Sequence, residues 1–159
     1  MLFRSCAALS TGELACWGNN HDQQLGDFTS TDRYTPVYVR NTNNTANLSG
    51  IARVSVNGDH LSGLEGHTCA TTAGQQVYCW GSSVRAQPNL AYLPVGRGNP
   101  PTNSVSAPDL VYGIGGSGTL GNVVDVSMSS QESGCAMLMD GRPVDRKSTR
   151  LNSSHLVIS

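Results

Sequence analysis

Charge is scarce in this sequence. Asp, Glu, Lys and Arg make up 13% of it, about half the share of an ordinary globular protein. The formal net charge is −1, so nothing in it suggests a nucleic-acid-binding surface. Aromatic residues are also few, at 6%. No run of 18 apolar residues occurs, so no membrane-spanning helix is expected. No window of eleven residues carries a helical apolar stripe. The opening Met1-Leu2-Phe3-Arg4-Ser5-Cys6 lacks the apolar core of a signal peptide. Cys-x-x-Cys pairs and paired ligand histidines are missing too, so no metal site is expected.

Glycine, serine, threonine and asparagine are abundant instead, with 18 Gly among 159 residues. Such a chain favours short strands joined by turns. Short apolar segments between turn residues predict strands near 5–9, 13–18, 35–39, 51–56, 67–72, 76–81, 108–112, 123–128 and 134–139.

The last fifteen residues, DRKSTRLNSSHLVIS at 145–159, resemble a translated sequencing adapter. We therefore expect 145–159 to be a non-native tail. Without it Lys plus Arg falls from 10 to 7 and Asp plus Glu from 11 to 10, leaving a net charge of −3. The Arg146-Lys147 cluster is then no targeting or nucleic-acid signal.

The remaining 1–144 repeat internally. Cys6-Ala7-Ala8-Leu9 through Cys16-Trp17-Gly18 returns as Cys69-Ala70-Thr71-Thr72 through Cys79-Trp80-Gly81, at an offset of 63. Cys135-Ala136-Met137-Leu138 begins a third copy. Residues 34–56 align without gaps on 106–128, at an offset of 72. A longer loop after Trp80-Gly81 accounts for the difference. Units are expected at about 4–56, 67–128 and 134–144. Gly12, Gly74 and Gly141 are expected to supply the positive φ of the hairpin turns.

This pattern resembles the regulator of chromosome condensation repeat family. The residues that carry the resemblance are Cys-Ala-Leu, a Gly turn and Cys-Trp-Gly at 6–18, then Gln24-Leu25-Gly26-Asp27, Thr31 to Val37 and Val54-Ser55. The second unit departs from it, with Arg85-Ala86-Gln87-Pro88 where Gly-Gln-Leu-Gly is usual. The resemblance implies an all-β fold, an incomplete β-propeller. About two four-stranded antiparallel blades and part of a third are expected. Further blades of the same chain are expected to be missing, so that both termini lie inside a longer protein.

Cys6 and Cys16 are ten apart, as are Cys69 and Cys79. A three-residue turn centred between them makes each pair face across a hairpin, at a distance that suits a disulfide. Reduced, buried cysteines are the alternative. The cysteine matching Cys135 falls at 145, where Asp145 begins the adapter-like run. Disulfides imply an oxidising compartment: extracellular, periplasmic or cell-surface. Trp17-Gly18 and Trp80-Gly81 are expected in the blade core. His67, two before Cys69 as in the family's repeats, is expected to make a structural hydrogen bond.

Several motifs tempt. Gly113-Ile114-Gly115-Gly116-Ser117-Gly118 fits the dinucleotide fingerprint by letters, but a strand-like Val123-Val124-Asp125-Val126 follows where a helix is required. His21, His60 and His67 form no catalytic constellation. Asp22, Asp27 and Asp32 lack the Gly and terminal Glu of a calcium loop and read as turn formers. Asn43-Asn44-Thr45 and Asn47-Leu48-Ser49 have the letters of glycosylation acceptors. No catalytic residue, cofactor or metal is expected. The expected function is a non-enzymatic protein-interaction module from a secreted or surface propeller, with inhibitors and adhesion-type binders as subclasses. Its loops 19–33, 57–66 and 82–105 would carry the contacts, with Phe28, Tyr34, Arg85, Tyr92 and Arg97 as the candidates. The alternative is a guanine-nucleotide exchange factor-like propeller acting on a small GTPase, as the family resemblance implies.

Overall fold

The alternation of short apolar runs with turn residues is built as ten strands in a computed structural model, which describes residues 4–58, 66–81, 105–113, 118–128 and 134–146. The strands are β1 (Ser5–Ala8), β2 (Leu14–Gly18), β3 (Arg33–Tyr38), β4 (Ile51–Gly58), β5 (Gly66–Thr72), β6 (Val77–Gly81), β7 (Val105–Leu110), β8 (Val123–Met128), β9 (Gly134–Leu138) and β10 (Pro143–Arg146). No helix occurs among the described residues. All pairings are antiparallel. The strands form sheet I (β1-β2-β3), sheet II (β4-β5-β6-β7) and sheet III (β8-β9-β10).

The sheets are out of phase with the sequence repeat by one strand. β4 ends the first repeat unit, yet its ladder partner is β5 of the second, with Ser55 opposite Cys69. β8 likewise pairs with β9, with Ser127 opposite Cys135. The hairpin β5-β6 is therefore the middle of sheet II rather than its first two strands, and β9-β10 likewise follows β8 in sheet III. An apolar pattern marks β4 as a strand but does not say which hairpin it bonds.

The core is two copies of one interface. Between sheets I and II lie Leu14, Cys16, Leu25, Val39, Leu48, Ile51, Ala70 and Trp80. Between sheets II and III lie Cys69, Val77, Cys79, Leu120, Val123, Val126, Ala136 and Leu138. Sheet II sends Ala70 and Trp80 to one side and Cys69 and Cys79 to the other, as the period of two along a strand requires. Backbone hydrogen bonds between the sheets repeat as well. The Ile51 N–H donates to the Gly12 carbonyl at 2.8 Å, and 72 residues on the Val123 N–H donates to the Gln75 carbonyl at 3.0 Å. The Ala73 N–H reaches the Gly50 carbonyl at 2.8 Å, and the Met139 N–H reaches that of Asn122 at 2.7 Å.

Cys6–Cys16 and Cys69–Cys79 are joined as disulfides, with Cα separations of 4.1 and 4.2 Å. The three hairpin turns share one design. Gly12, Gln75 and Gly141 N–H groups donate to the Leu9, Thr72 and Leu138 carbonyls. The left-handed position is the third loop residue, which is Gly12 (φ 84°), Gln75 (φ 63°) and Gly141 (φ 82°). The expectation for Gly74 is thus corrected. It lies one residue early, in a position any residue adopts, and Gln75 carries the strain.

Of the fingerprint-like Gly113 to Gly118, residues 114–117 lie outside the described residues, and strand β8 follows. The segment's flanks bridge as Tyr112↔Thr119, matching Arg40↔Asn47 in the first unit. No helix N-terminus follows to receive a phosphate.

Candidate functional site: the rim of long connections

Antiparallel alternation sorts the connections into two rims. The turns at 9–13, 73–76 and 139–142 lie at one end, beside the connections 39–50 and 111–122. The connections 19–32, 59–65, 82–104 and 129–133 all leave from the other end. The strand ends that flank every segment expected to carry contacts therefore lie on one rim, while 59–65 and 82–104 themselves lie outside the described residues. Arg85, Tyr92 and Arg97 thus lie outside the described residues. Phe28 is half-buried and holds φ 61°. Tyr34, on the outer strand β3, is 82% exposed.

The first rim connection is built around Asn20, which is fully buried. Its side-chain amide donates to Asp27 Oδ1 at 3.0 Å, the Thr29 carbonyl at 2.8 Å and the Thr31 carbonyl at 3.1 Å. Its oxygen accepts the Leu25 N–H at 2.9 Å, and its backbone N–H reaches Asp32 Oδ1 at 2.7 Å. Arg33 closes the loop, with Nη2 2.7 Å from Asp27 Oδ2. Burial pushes the Asp27 carboxyl up, but hydrogen bonds from Thr29, Arg33 and Asn20 outweigh it and hold it below the usual carboxylate range. Asp27 and Asp32 thus serve as internal acceptors. Asn20 escaped sequence reading because a buried polar hub leaves no periodic trace; its one signal is its place just after Trp17-Gly18.

Gln24-Leu25-Gly26 docks this loop onto sheet II. The Gln24 carbonyl accepts from Trp80 Nε1 at 3.0 Å and Thr68 Oγ1 at 2.8 Å. Gly26 has φ 67°, and a Cβ there would lie 2.7 Å from Trp80 Nε1 and 2.9 Å from Val39 Cγ1. This is the physical reason for Gly in that motif. The two tryptophans consequently differ. Trp80 is fully buried under the loop of the preceding unit, whereas Trp17 is half-buried, with no described loop in the corresponding place.

Beside this loop, Arg4 spans sheets I and II. Its Nη2 donates to the Asn57 carbonyl and, at 2.8 Å, to the His67 carbonyl. Burial lowers the Arg4 guanidinium to about 10, against the opposing pull of Asp22. The His67 ring lies against the Asn57 amide, Nε2 to Nδ2 3.3 Å. Burial first, then the Arg4 charge, lowers the His67 ring to about 4. It is a neutral structural group near pH 7, held where the Arg4 counterpart falls by the 63-residue offset. Sequence reading passed over Arg4 and Asn57, each of which is alone among unlike neighbours. The described site thus offers a preformed polar loop and buried cross-sheet ties, and it brings no nucleophile and base together.

No family model matches the chain, and no curated protein matches it. Solved structures do. Human WBSCR16 superposes with a TM-score of 0.65 at 18% identity, over 89% of this chain and 30% of that one. Prp20p from Saccharomyces cerevisiae, described with its binding to Gsp1p and histones, gives 0.58 at 16% identity, over 89% and 30%. A structure of Kap60 bound to yeast RCC1 (Prp20) gives 0.56 at 15% identity, over 89% and 29%. The chain spans about a third of the length of these structures. With its all-β composition, its repeated inter-sheet contacts and these superpositions, the chain has the fold of an incomplete β-propeller of the RCC1 repeat type.

Proposed function

We propose that the chain is a non-enzymatic, protein-binding portion of a propeller, and that it binds through the rim of long connections. One observation carries this reading: the connection 19–32, which leaves from the same end of the strands as the long segment after β6, is locked by Asn20. A preordered loop loses little conformational entropy on binding. The opposite rim holds three tight turns of one design.

Two finer readings follow. The exchange-factor-like reading, with a small GTPase as partner, is favoured by the solved neighbours, since Prp20p is described with its binding to Gsp1p. The extracellular, periplasmic or cell-surface binder is favoured by the two cysteine pairs, because such bridges persist in oxidising compartments.

Release of fluorescent GDP from Gsp1p, with hydrogen exchange of the chain in the same mixture, tests them. Faster release with protection of residues 19–33 supports the GTPase reading. Unchanged release and no protection defeat it. A thiol count on protein from its native source then bears on the other: five reduced cysteines would remove the case for an oxidising compartment. For the rim itself, a partner that protects the turns at 9–13 and 73–76 instead would overturn the assignment.

A further inference from the structure

Two triads with the letters of glycosylation acceptors share the connection 39–50, and the fold treats them differently. Asn43, Asn44 and Thr45 are all exposed. They sit on a turn closed by close neighbours in the chain. The Asn44 N–H donates to the Asn41 carbonyl at 2.9 Å, and the Asn41 side-chain oxygen accepts the Thr45 N–H at 2.9 Å. None of these bonds uses the Asn43 side chain.

Asn47-Leu48-Ser49 is instead tied into the fold. The Asn47 side chain donates to Glu13 Oε1 at 2.7 Å and accepts from Arg40 Nη1 at 2.8 Å. Its backbone bridges to Arg40. Leu48 is 5% exposed and packs in the core between sheets I and II. Its N–H donates to the Val39 carbonyl at 2.8 Å. A glycosyl-transferring enzyme must take a whole triad into its own cleft. For 43–45 this breaks surface hydrogen bonds that water replaces. For 47–49 it draws Leu48 out of the core and takes a donor from Glu13. Glu13 and Arg40 both precede Asn47 in the chain, so they are in place when synthesis reaches it.

We propose that Asn43 is an N-glycosylation acceptor and that Asn47 is not. Nδ2 of Asn43 attacks the anomeric carbon of a sugar carried on a lipid diphosphate. The new C–N bond replaces the C–O bond to phosphate, the lipid diphosphate leaves, and the amide gives up one proton. The proposal rests on the oxidising-compartment reading, since N-glycosylation and disulfide formation both belong to the secretory route. The connection 39–50 lies on the rim of tight turns, so a glycan there leaves the connection 19–32 clear for a partner. The matching connection 111–122 has no Asn-x-Ser/Thr triad.

A third triad, Asn152-Ser153-Ser154, lies in the tail, so the full chain is tested with Asn152→Gln. Behind a cleavable signal peptide, it is translated into endoplasmic-reticulum microsomes, and the protease-protected fraction is analysed. One glycan per chain is expected, and enzymatic deglycosylation in heavy-oxygen water should mark residue 43. The glycan should vanish in Asn43→Gln and in Thr45→Ala. It should persist in Thr45→Ser and in Asn47→Gln. Protected chain with no glycan, with a glycan at Asn47, or with both positions occupied would each overturn the proposal. The added signal peptide sets the compartment, so these outcomes do not depend on native location. Five reduced cysteines in the native protein would defeat the compartment reading and leave the choice between Asn43 and Asn47 standing.

Discussion

Asp145 stands opposite Cys135 in the β9–β10 ladder, where Cys16 stands opposite Cys6 and Cys79 opposite Cys69. The third hairpin thus has the register of the other two, with an aspartate at the position of the second cysteine.

Asp145→Cys should therefore close a third bridge with Cys135. The expected readout is a loss of two mass units under non-reducing conditions. The closed loop would add about 3 kcal/mol of stability in the chain-entropy model. An unchanged mass after air oxidation would show that the register does not hold in solution.

Gln75 holds φ 63° where the other two hairpins have glycine. A left-handed conformation costs a residue with a Cβ about 1 kcal/mol or more, so Gln75→Gly should stabilise the chain by up to about 1 kcal/mol. Gly74→Ala, one residue earlier, should be nearly neutral. Denaturation midpoints of the two variants compare them directly.

Gly26→Ala should do the opposite. It meets Trp80 Nε1 and Val39 Cγ1 within 3 Å and forces a positive φ on alanine. A loss of about 2 kcal/mol or more is expected. Because the ring of Trp80 must shift, its fluorescence should move to the red while the protein is still folded.

The His67 ring titrates at about 4 in the fold, below its value of about 6.5 in an unfolded chain. The unfolded state therefore takes up the proton first. Stability contributed by this group is complete above about pH 6.5 and is lost as pH falls toward 4, amounting to about 3 kcal/mol. Urea denaturation at pH 7.5 and 4.5 measures the fall, and His67→Gln should flatten it. The lowered Asp27 carboxyl adds a second loss at still lower pH.

Much of the strand map was legible because a strand on a buried interface alternates or runs apolar. Each of the nine expected strands overlaps an observed one, with β3 beginning earlier, at Arg33, and β7 earlier, at Val105. β10 was implied only through the partner position at 145. The pairing of β4 with β5 was not legible, because register is a relation between segments and β4 alone looks alike in either sheet. Trp17 and Trp80 share a motif but not a burial, since the loop that covers Trp80 belongs to the preceding unit. The ties made by Arg4, Asn20 and Asn57 are single polar residues whose roles arise only when distant backbone carbonyls converge on them. Of the contact candidates, Phe28 and Tyr34 sit at or next to the rim connection 19–32, while Arg85, Tyr92 and Arg97 fall outside the described residues.

The displacement of the sheets against the sequence unit has a mechanical consequence. Tension applied through the first unit reaches β4, and β4 is zipped along β5 from Ile51↔Thr72 to Gly58↔Gly66. Detaching one unit from the next must then peel or shear a full ladder rather than slide apart a pair of smooth faces. Excision at a unit border would tear a strand out of its neighbour's sheet, whereas excision within 111–122 would leave whole sheets behind. A pulling experiment should register the former as a distinct force peak.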